Sequence, residues 1–377
     1  MKEDWKYKKL GEIATYVNGF AFKPNQWGEV GLPIVRIQNL NKESAPYNYY
    51  DGTVDDRYVI HRGDILVSWS ASIGIYEWKR GKALLNQHIF KVVFDKKKIN
   101  KFFFKYAVAS KLEEMVRFAH GATMKHIKKS YFNTIEIPFP PLSAQQAIVK
   151  ELDLLNTIIE KKRMQMEDLD KLGQSIFYDM FGDPVENTKE WRVEKLEKLG
   201  ILARGVSTHR PRNAPELLGG TMPLIQTSDV ANAGMYLKTY NSTYSALGIA
   251  QSRVWEKGTL CITVAANIGK CAILTFKACF PDSVAGFVSN DQLCNNVYMY
   301  FIFSCLQKIL EEEAPAVGQK NINLKKLGSL KIPVPPLSLQ QQFASRILEI
   351  EKIKDKVAVS MTETQELLAA TEDKYFG

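Results

Sequence analysis

Side chains that can read base edges or hold phosphate recur on matched loops in the two halves of this 377-residue chain. Base edges are read by Arg, Lys, Asn, Gln, Ser, Thr or His, and phosphate is held by Lys, Arg and backbone N–H groups. Thr123, Lys125 and His126 follow Gly121, as Gln319, Lys320 and Asn321 follow Gly318, and Lys125 and Lys320 stand 195 residues apart. Lys23, Asn25 and Gln26 occupy a position similar to that of His209, Arg210 and Arg212. Arg36, Gln38 and Asn39 stand against Gln226, Thr227 and Ser228, and Ser68 and Ser70 against the stretch 263–265. Asn86, Gln87 and His88 form a further polar run. Different side chains on one frame would read different bases. Each loop also fits an ordinary solvated surface, and His88 also fits a satisfied buried residue.

Covalent chemistry finds no comparable constellation. The phosphate-cradling patterns G-x-x-x-x-G-K-[ST] and G-x-G-x-x-G do not occur, and neither does H-E-x-x-H or G-x-S-x-G. The Pro-Pro pairs at 140–141 and 335–336 lack the preceding Asn or Asp and the following Tyr of the amino-methyltransferase motif. Pro281-Asp282 has no Asp/Glu-x-Lys partner of the nuclease kind, and Glu160-Lys161-Lys162, which fits that half-motif, lies on a helix seam. Cys261, Cys271, Cys279, Cys294 and Cys305 include no C-x-x-C pair, and the histidines supply no zinc spacing, so buried free thiols are expected. Together these absences argue against an autonomous catalyst and against a zinc site, so no catalytic residue, metal or cofactor is assigned to this chain.

Hydrophobic content of 45% with 24% charged residues is that of a soluble globular protein, and the length calls for two or more domains. The net charge of +9 is unevenly spread: residues 1–141 carry +9, 142–185 −3, 186–336 +5 and 337–377 −2. Two basic blocks suit a polyanion. The polar N-terminus has no apolar run behind it, and the most apolar window, 298–306, falls far short of the ~20 residues needed to span a bilayer. A cytoplasmic protein that does not meet a membrane is expected.

The elements that position these loops come twice. Ile-Pro-Phe-Pro-Pro-Leu-Ser-Ala-Gln-Gln at 137–146 returns as Ile-Pro-Val-Pro-Pro-Leu-Ser-Leu-Gln-Gln at 332–341, again 195 residues on. Trp5 and Leu10 correspond to Trp191 and Leu196, Gly63-Asp64-Ile65 to Gly258-Thr259-Leu260, and Phe181-Gly182 to Phe376-Gly377. One architectural unit is used twice. Strands are predicted at 34–37, 64–69 and 89–94, then at 224–227, 260–264 and 272–276, with helices at 101–118 and 296–313. After each Pro-Pro-Leu the pattern changes to a heptad. Ile148, Leu152, Leu155, Ile159, Met166, Leu169, Ile176 and Met180 step by fours and threes, with Lys162 and Gly173 as breaks. Phe343, Ile347, Ile350, Val357, Met361, Leu368 and Tyr375 repeat that register, with Lys354, Thr364 and Thr371 as imperfect positions. Ser143 and Ser338 are expected as N-caps. Each helix would be about 58 Å long at ~1.5 Å per residue. A shared register favours two helices packed on each other over two helices each lying on its own domain.

The fold class is therefore α+β, with two pseudo-symmetric globular domains separated by two long antiparallel coiled-coil helices. The segments are 1–141, a central spacer helix within 142–185, 186–336, and a C-terminal spacer helix within 337–377. The repeated Pro-Pro-Leu-Ser-x-Gln-Gln, Phe181-Gly182-Asp183-Pro184 with Asn187 and Trp191, and the opening Trp5 with Leu10-Gly11-Glu12-Ile13 resemble the specificity subunits of type I restriction-modification systems over essentially the whole chain. The resemblance implies that each globular block is a target recognition domain reading one half of a split double-stranded DNA target. It implies long helices that set the spacer and dock two adenine methyltransferase subunits, with restriction motor-nuclease subunits added. S-adenosylmethionine, ATP and Mg²⁺ would then sit only on those partners. Two other readings use the same residues: an adaptor whose paired helices bind partners while the basic charge is incidental, and a stand-alone methyltransferase or nuclease.

Overall fold

The computed structural model describes residues 5–42, 44–118, 126–265, 267–312 and 321–377. It parts into two compact units, Met1–Arg163 with Val359–Gly377, and Met164–Ala358. The segment boundaries read from the sequence mark changes of secondary structure. The compact units are cut differently, because each long helix contributes one half to each unit.

Both units are built on the same pair of sheets. In the first unit, strands Thr15–Asn18, Ile89–Val93, Ile65–Ser68 and Gly74–Glu77 form an antiparallel sheet in that order. Asn48–Tyr50, Leu32–Val35, Ala83–Leu85 and Val59–Ile60 form a second sheet, with Leu32–Val35 parallel to Ala83–Leu85. The second unit repeats this with Gly200–Arg204, Val284–Ser289, Leu260–Thr263 and Cys271–Leu274, and adds Tyr236–Leu237 at the edge. Its other sheet is Ser242–Tyr244, Leu218–Leu224, Ala278–Cys279 and Val254–Trp255. Alternation along a strand sends successive side chains to opposite faces. Ile65 and Val67 enter a core with the helical layer, while Leu66 enters a core with the second sheet. Leu260 and Ile262 divide from Cys261 in the same way.

Several expected boundaries move. Strands predicted at 34–37 and 224–227 stop early, and Ile37–Asn41 and Thr227–Asn232 are short helices. Asn39 Oδ1 accepts from the backbone N–H of Arg36 (3.0 Å), and Asp229 Oδ2 from that of Gln226 (2.8 Å). Such side-chain bonds start a helix where an apolar run alone suggests a strand. The helix predicted at 101–118 is two, Lys101–Ala109 and Leu112–Arg117, while Asn296–Glu312 is continuous.

The long helices run Leu142–Phe181 and Leu337–Phe376. Ser143 and Ser338 therefore lie inside the first turn and are not the caps. The residues that fasten these helix starts are glutamines. Gln145 is 1% exposed, accepts the Asn100 N–H (2.9 Å) and donates to the Pro140 carbonyl (2.9 Å). Gln340 is fully buried, accepts the Asn295 N–H (2.9 Å), and donates to the carbonyls of Pro335 (2.9 Å) and Leu293 (3.2 Å). Asn100 in turn caps Lys101–Ala109 through the N–H groups of Phe102 and Phe103.

The apolar seam serves both arrangements weighed from the sequence. In the first unit Ile148 and Leu152 pack with Phe103, Phe104 and Phe376, with Leu368 and Tyr375 beside them. Leu155 is buried, and Ile159 and Met361 are half-buried. In the second unit Phe343, Ile347 and Ile350 pack with Tyr298, Phe301, Phe177 and Phe181, with Leu169, Ile176 and Met180 beside them; Met166 and Val357 are half-buried. The helix faces meet each other and floor their domains as well. Their direction is antiparallel in both units. Tyr375 donates to Glu151 (2.7 Å) in the first, and Lys354 to Asp170 (2.7 Å) in the second.

Breaks in the heptads pair with one another. Lys162 Nζ donates to the Ser360 carbonyl (2.7 Å), Ser360 Oγ (2.8 Å) and Thr364 Oγ1 (2.7 Å), which uses all three ammonium donors. Lys354 is held by Asp170 and by Glu351 (2.8 Å); burial pulls its ammonium pKa down, but the two carboxylates outweigh that and leave it raised. Gly173 lies against Phe301 and Ile347, whose nearest atoms would be 3.4 and 3.5 Å from an added Cβ.

Two substitutions test this account by chemical denaturation. Gln145→Leu leaves the Asn100 N–H and the Pro140 carbonyl buried and unpaired, and is expected to cost about 2–4 kcal/mol. Lys162→Met is expected to cost about 1–2 kcal/mol, while Lys161→Met, on an exposed position, should stay within ~0.5 kcal/mol.

Candidate nucleic-acid interface

In the first unit the polar residues singled out from the sequence divide by burial. Lys23, Asn25 and Gln38 are exposed, and Gln26 is half-buried with its Oε1 accepting the Lys23 N–H (2.8 Å). The Arg36 guanidinium lies over the Trp27 ring at 4.9 Å and donates to Asn48 Oδ1 (3.4 Å). A stacked guanidinium keeps its fork planar and oriented, which is what bidentate reading of a base requires. Gln38 Nε2 donates to the Pro46 carbonyl (3.4 Å).

Asn39, Ser68, Ser70 and Asn86 depart from the sequence expectation, because they are 5%, 0%, 2% and 7% exposed. Asn39 spends its amide on the Ala45 and Pro46 carbonyls as well as on the Arg36 cap. Ser68 Oγ donates to the Ser72 carbonyl (2.5 Å). These groups shape loops and leave little for an outside base edge. Gln87 and His88 are half-buried, with Gln87 Oε1 and His88 Nδ1 lacking a partner among the described residues, and the His88 ring stands 5.4 Å from Trp69. His126 is half-buried and bridges to Ser70.

In the second unit His209, Arg210 and Arg212 are exposed. Arg210 donates to the carbonyls of Ser207 (2.7 Å) and His209 (2.8 Å), and Arg212 pairs with Asp282 (2.7 Å). Gln226 and Ser228 are exposed and Thr227 is half-buried. Asn321 is exposed, and its Oδ1 accepts from Arg204 (2.9 Å). Arg204 also donates to the carbonyls of Ile322 (2.7 Å) and Asp282 (3.0 Å), so it ties three loops together. Sequence reading missed it. Its only signal was a charged residue ending a strand just before a glycine.

Thr123, Lys125, Gln319 and Lys320 lie outside the described residues. The backbone after them is fixed alike in both units. The Ile127 N–H donates to the Trp69 carbonyl (2.9 Å), and the Ile322 N–H to that of Val264 (2.8 Å). Ser70 bridges His126 as Ala265 bridges Asn321. The cysteines form no disulfide; four are buried, and burial pushes the thiols of Cys271 and Cys294 up to about 12.

Comparison with known proteins follows this doubling. A family model described as the type I restriction modification DNA specificity domain matches twice, at residues 2–167 and 188–358. The EcoBI specificity subunit of a type I restriction enzyme from Escherichia coli is 22% identical, covering 94% of this chain and 81% of its own. The putative MjaX specificity subunit from Methanocaldococcus jannaschii is 25% identical, covering 93% and 88%. Among solved structures, the type I restriction-modification S subunit from M. genitalium superposes with a TM-score of 0.61 at 16% identity, covering 99% of this chain and 96% of that one. Two matched domains on one strand topology, each presenting its own set of polar loops, show that the chain belongs to the DNA specificity family of type I restriction-modification systems.

Proposed function

We propose that each unit reads one half of a divided double-stranded DNA target, with exposed loop residues on base edges and Lys and Arg on phosphate. The observation that carries this is one frame bearing two different polar sets. Arg36 and Gln38 stand where the second unit has Gln226 and Ser228. Equal frames give two equivalent modes of approach, and unequal side chains give two different half-sites. The inward-turned Asn39, Ser68, Ser70 and Asn86 hold the loops in shape.

The long helices serve as spacer and dock for two adenine methyltransferase subunits, to which restriction motor-nuclease subunits are added. S-adenosylmethionine, ATP and Mg²⁺ chemistry falls to those partners, in the cytoplasm, and this chain supplies the address. An adaptor that bound partners without reading DNA would have no use for two polar sets on one frame.

Sequencing modified DNA from cells holding this chain with its methyltransferase partner is expected to give a motif in two parts. Exchanging residues 1–141 for those of a relative should change one part only; a single undivided motif overturns the reading. Binding of the assembled complex should fall with salt at a slope of about −0.9 per phosphate contact. Arg36→Ala is expected to cost about 1–3 kcal/mol and to relax one position of one half-site, measured by competition between duplexes. Lys23→Ala should weaken all sequences alike.

A further inference from the structure

The two units differ at one edge of the same sheet. Gly74–Glu77 ends the sheet of the first unit, and among the described residues no strand pairs with its outer side. Its counterpart Cys271–Leu274 is covered by Tyr236–Leu237, which runs parallel to it. Hydrogen bonds fix the match. Trp78 donates its N–H to the Asp64 carbonyl (2.8 Å), and its own carbonyl accepts the Gly63 N–H (2.7 Å). Leu274 does the same with Thr259 (2.9 Å) and Gly258 (2.8 Å). Glu77 therefore stands where the second unit has Ile273.

Alternate residues of an antiparallel strand turn their N–H and carbonyl to opposite sides. Since Trp78 turns inward, the backbone groups of Ile75 and Glu77 turn outward. The Ile273 N–H uses that direction to donate to the Met235 carbonyl (2.8 Å). Nine residues, 233–241, connect Thr227–Asn232 to Ser242–Tyr244 and supply the covering strand. Only six, 42–47, connect Ile37–Asn41 to Asn48–Tyr50, and they add no strand among the described residues.

The shorter connection leaves a cavity of about 280 Å³ beside the strand, with Leu40, Tyr76, Glu77, Lys79 and Lys105 in its walls. Ile75, Tyr76 and Glu77 are half-buried, while Cys271–Leu274 is buried throughout. Charge selects what can enter. Lys79 is exposed and Lys105 half-buried, and neither forms an ion pair among the described residues. The second unit has Thr275 and Tyr300 at those positions. Arg80, bonded to the Tyr47 hydroxyl, adds a third cation against the single carboxylate of Glu77. Lysines at an open edge turn away another basic strand. A strand that bears carboxylates is the one they admit.

We propose that this edge accepts an extended acidic segment of a methyltransferase subunit, which adds to Gly74–Glu77 as a fifth, parallel strand. The inference rests on the docking of methyltransferase subunits proposed above. Strand addition takes its affinity from main-chain hydrogen bonds and its selectivity from flanking side chains. Here Ile75 and Glu77 supply the bonds, and Lys79 and Lys105 select for carboxylates. The outward carbonyls repel phosphate, so the edge suits a protein strand over DNA. Because the second unit closes the same edge with its own chain, only one of the two methyltransferase subunits gains this contact.

The test uses the full chain with its methyltransferase partner, after assembly has been followed by mass. Hydrogen exchange read at single residues compares the free chain with the complex. The Glu77 amide is expected to slow by about tenfold or more on assembly. Unchanged exchange overturns the proposal, and this measurement needs no variant. Glu77→Pro removes the outward N–H at a position where an edge strand tolerates proline, and Glu77→Ala controls for the lost side chain. Proline is expected to weaken one of the two methyltransferase subunits by about tenfold relative to alanine. Equal binding by the two variants overturns the proposal. Lys79→Glu combined with Lys105→Glu should weaken the same subunit by about tenfold and leave the DNA affinity of the assembled complex unchanged. Lost DNA affinity with assembly intact overturns the proposal and assigns these lysines to phosphate. Absence of any methyltransferase complex in the wild type is a separate outcome, which overturns the docking function and this inference with it.

Discussion

Two buried amides hold the architecture together. Gln145 and Gln340 each join the start of a long helix to the turn that opens a domain helix and to the proline-rich run before it. An amide in that position has no water to fall back on, so its bonds fix three chain segments at once. The joint fixes where the long helix leaves the domain, and the helix face beyond it packs with the sheet residues Ile65 and Val67 in the first unit and Leu260 and Ile262 in the second. The prolines beside it serve the same end. They cannot extend a helix backwards, and they leave their carbonyls free to accept.

Much of this was legible in the sequence because it was written twice. A 195-residue repeat needs no propensity argument, and it located the doubled unit and the two long helices. What periodicity could not show was side-chain direction at the ends of strands. Asn39 and Asp229 look like solvent-facing loop residues, yet both turn inward to start short helices, and the strands predicted at 34–37 and 224–227 end early. Ser68 and Ser70 look available beside Trp69, but a strand buried on both faces keeps Ser68 inside, and Ser70 is buried where the chain bridges to His126. The repeated glutamine was visible as a letter, while its role was not: the Asn100 and Asn295 partners are distant in sequence.

The seam also shows how an irregular heptad can be specific. A purely apolar face tolerates sliding, because one leucine substitutes for another along it. Lys162 opposite Ser360 and Thr364, and Lys354 opposite Asp170, are satisfied in one alignment only. Positions that count as defects in the pattern are the ones that select the register.

The division of each long helix bears on how the chain comes into being. The first unit is not contiguous, since it needs Val359–Gly377 beside Met1–Arg163, and Phe376 packs on Phe103 within it. A ribosome releases the N-terminal residues first, and domains ordinarily fold in that order. Here the domain made first is the one finished last. Until the final helix emerges, the apolar floor around Phe103 and Leu152 stays open to water, to chaperones and to other nascent chains.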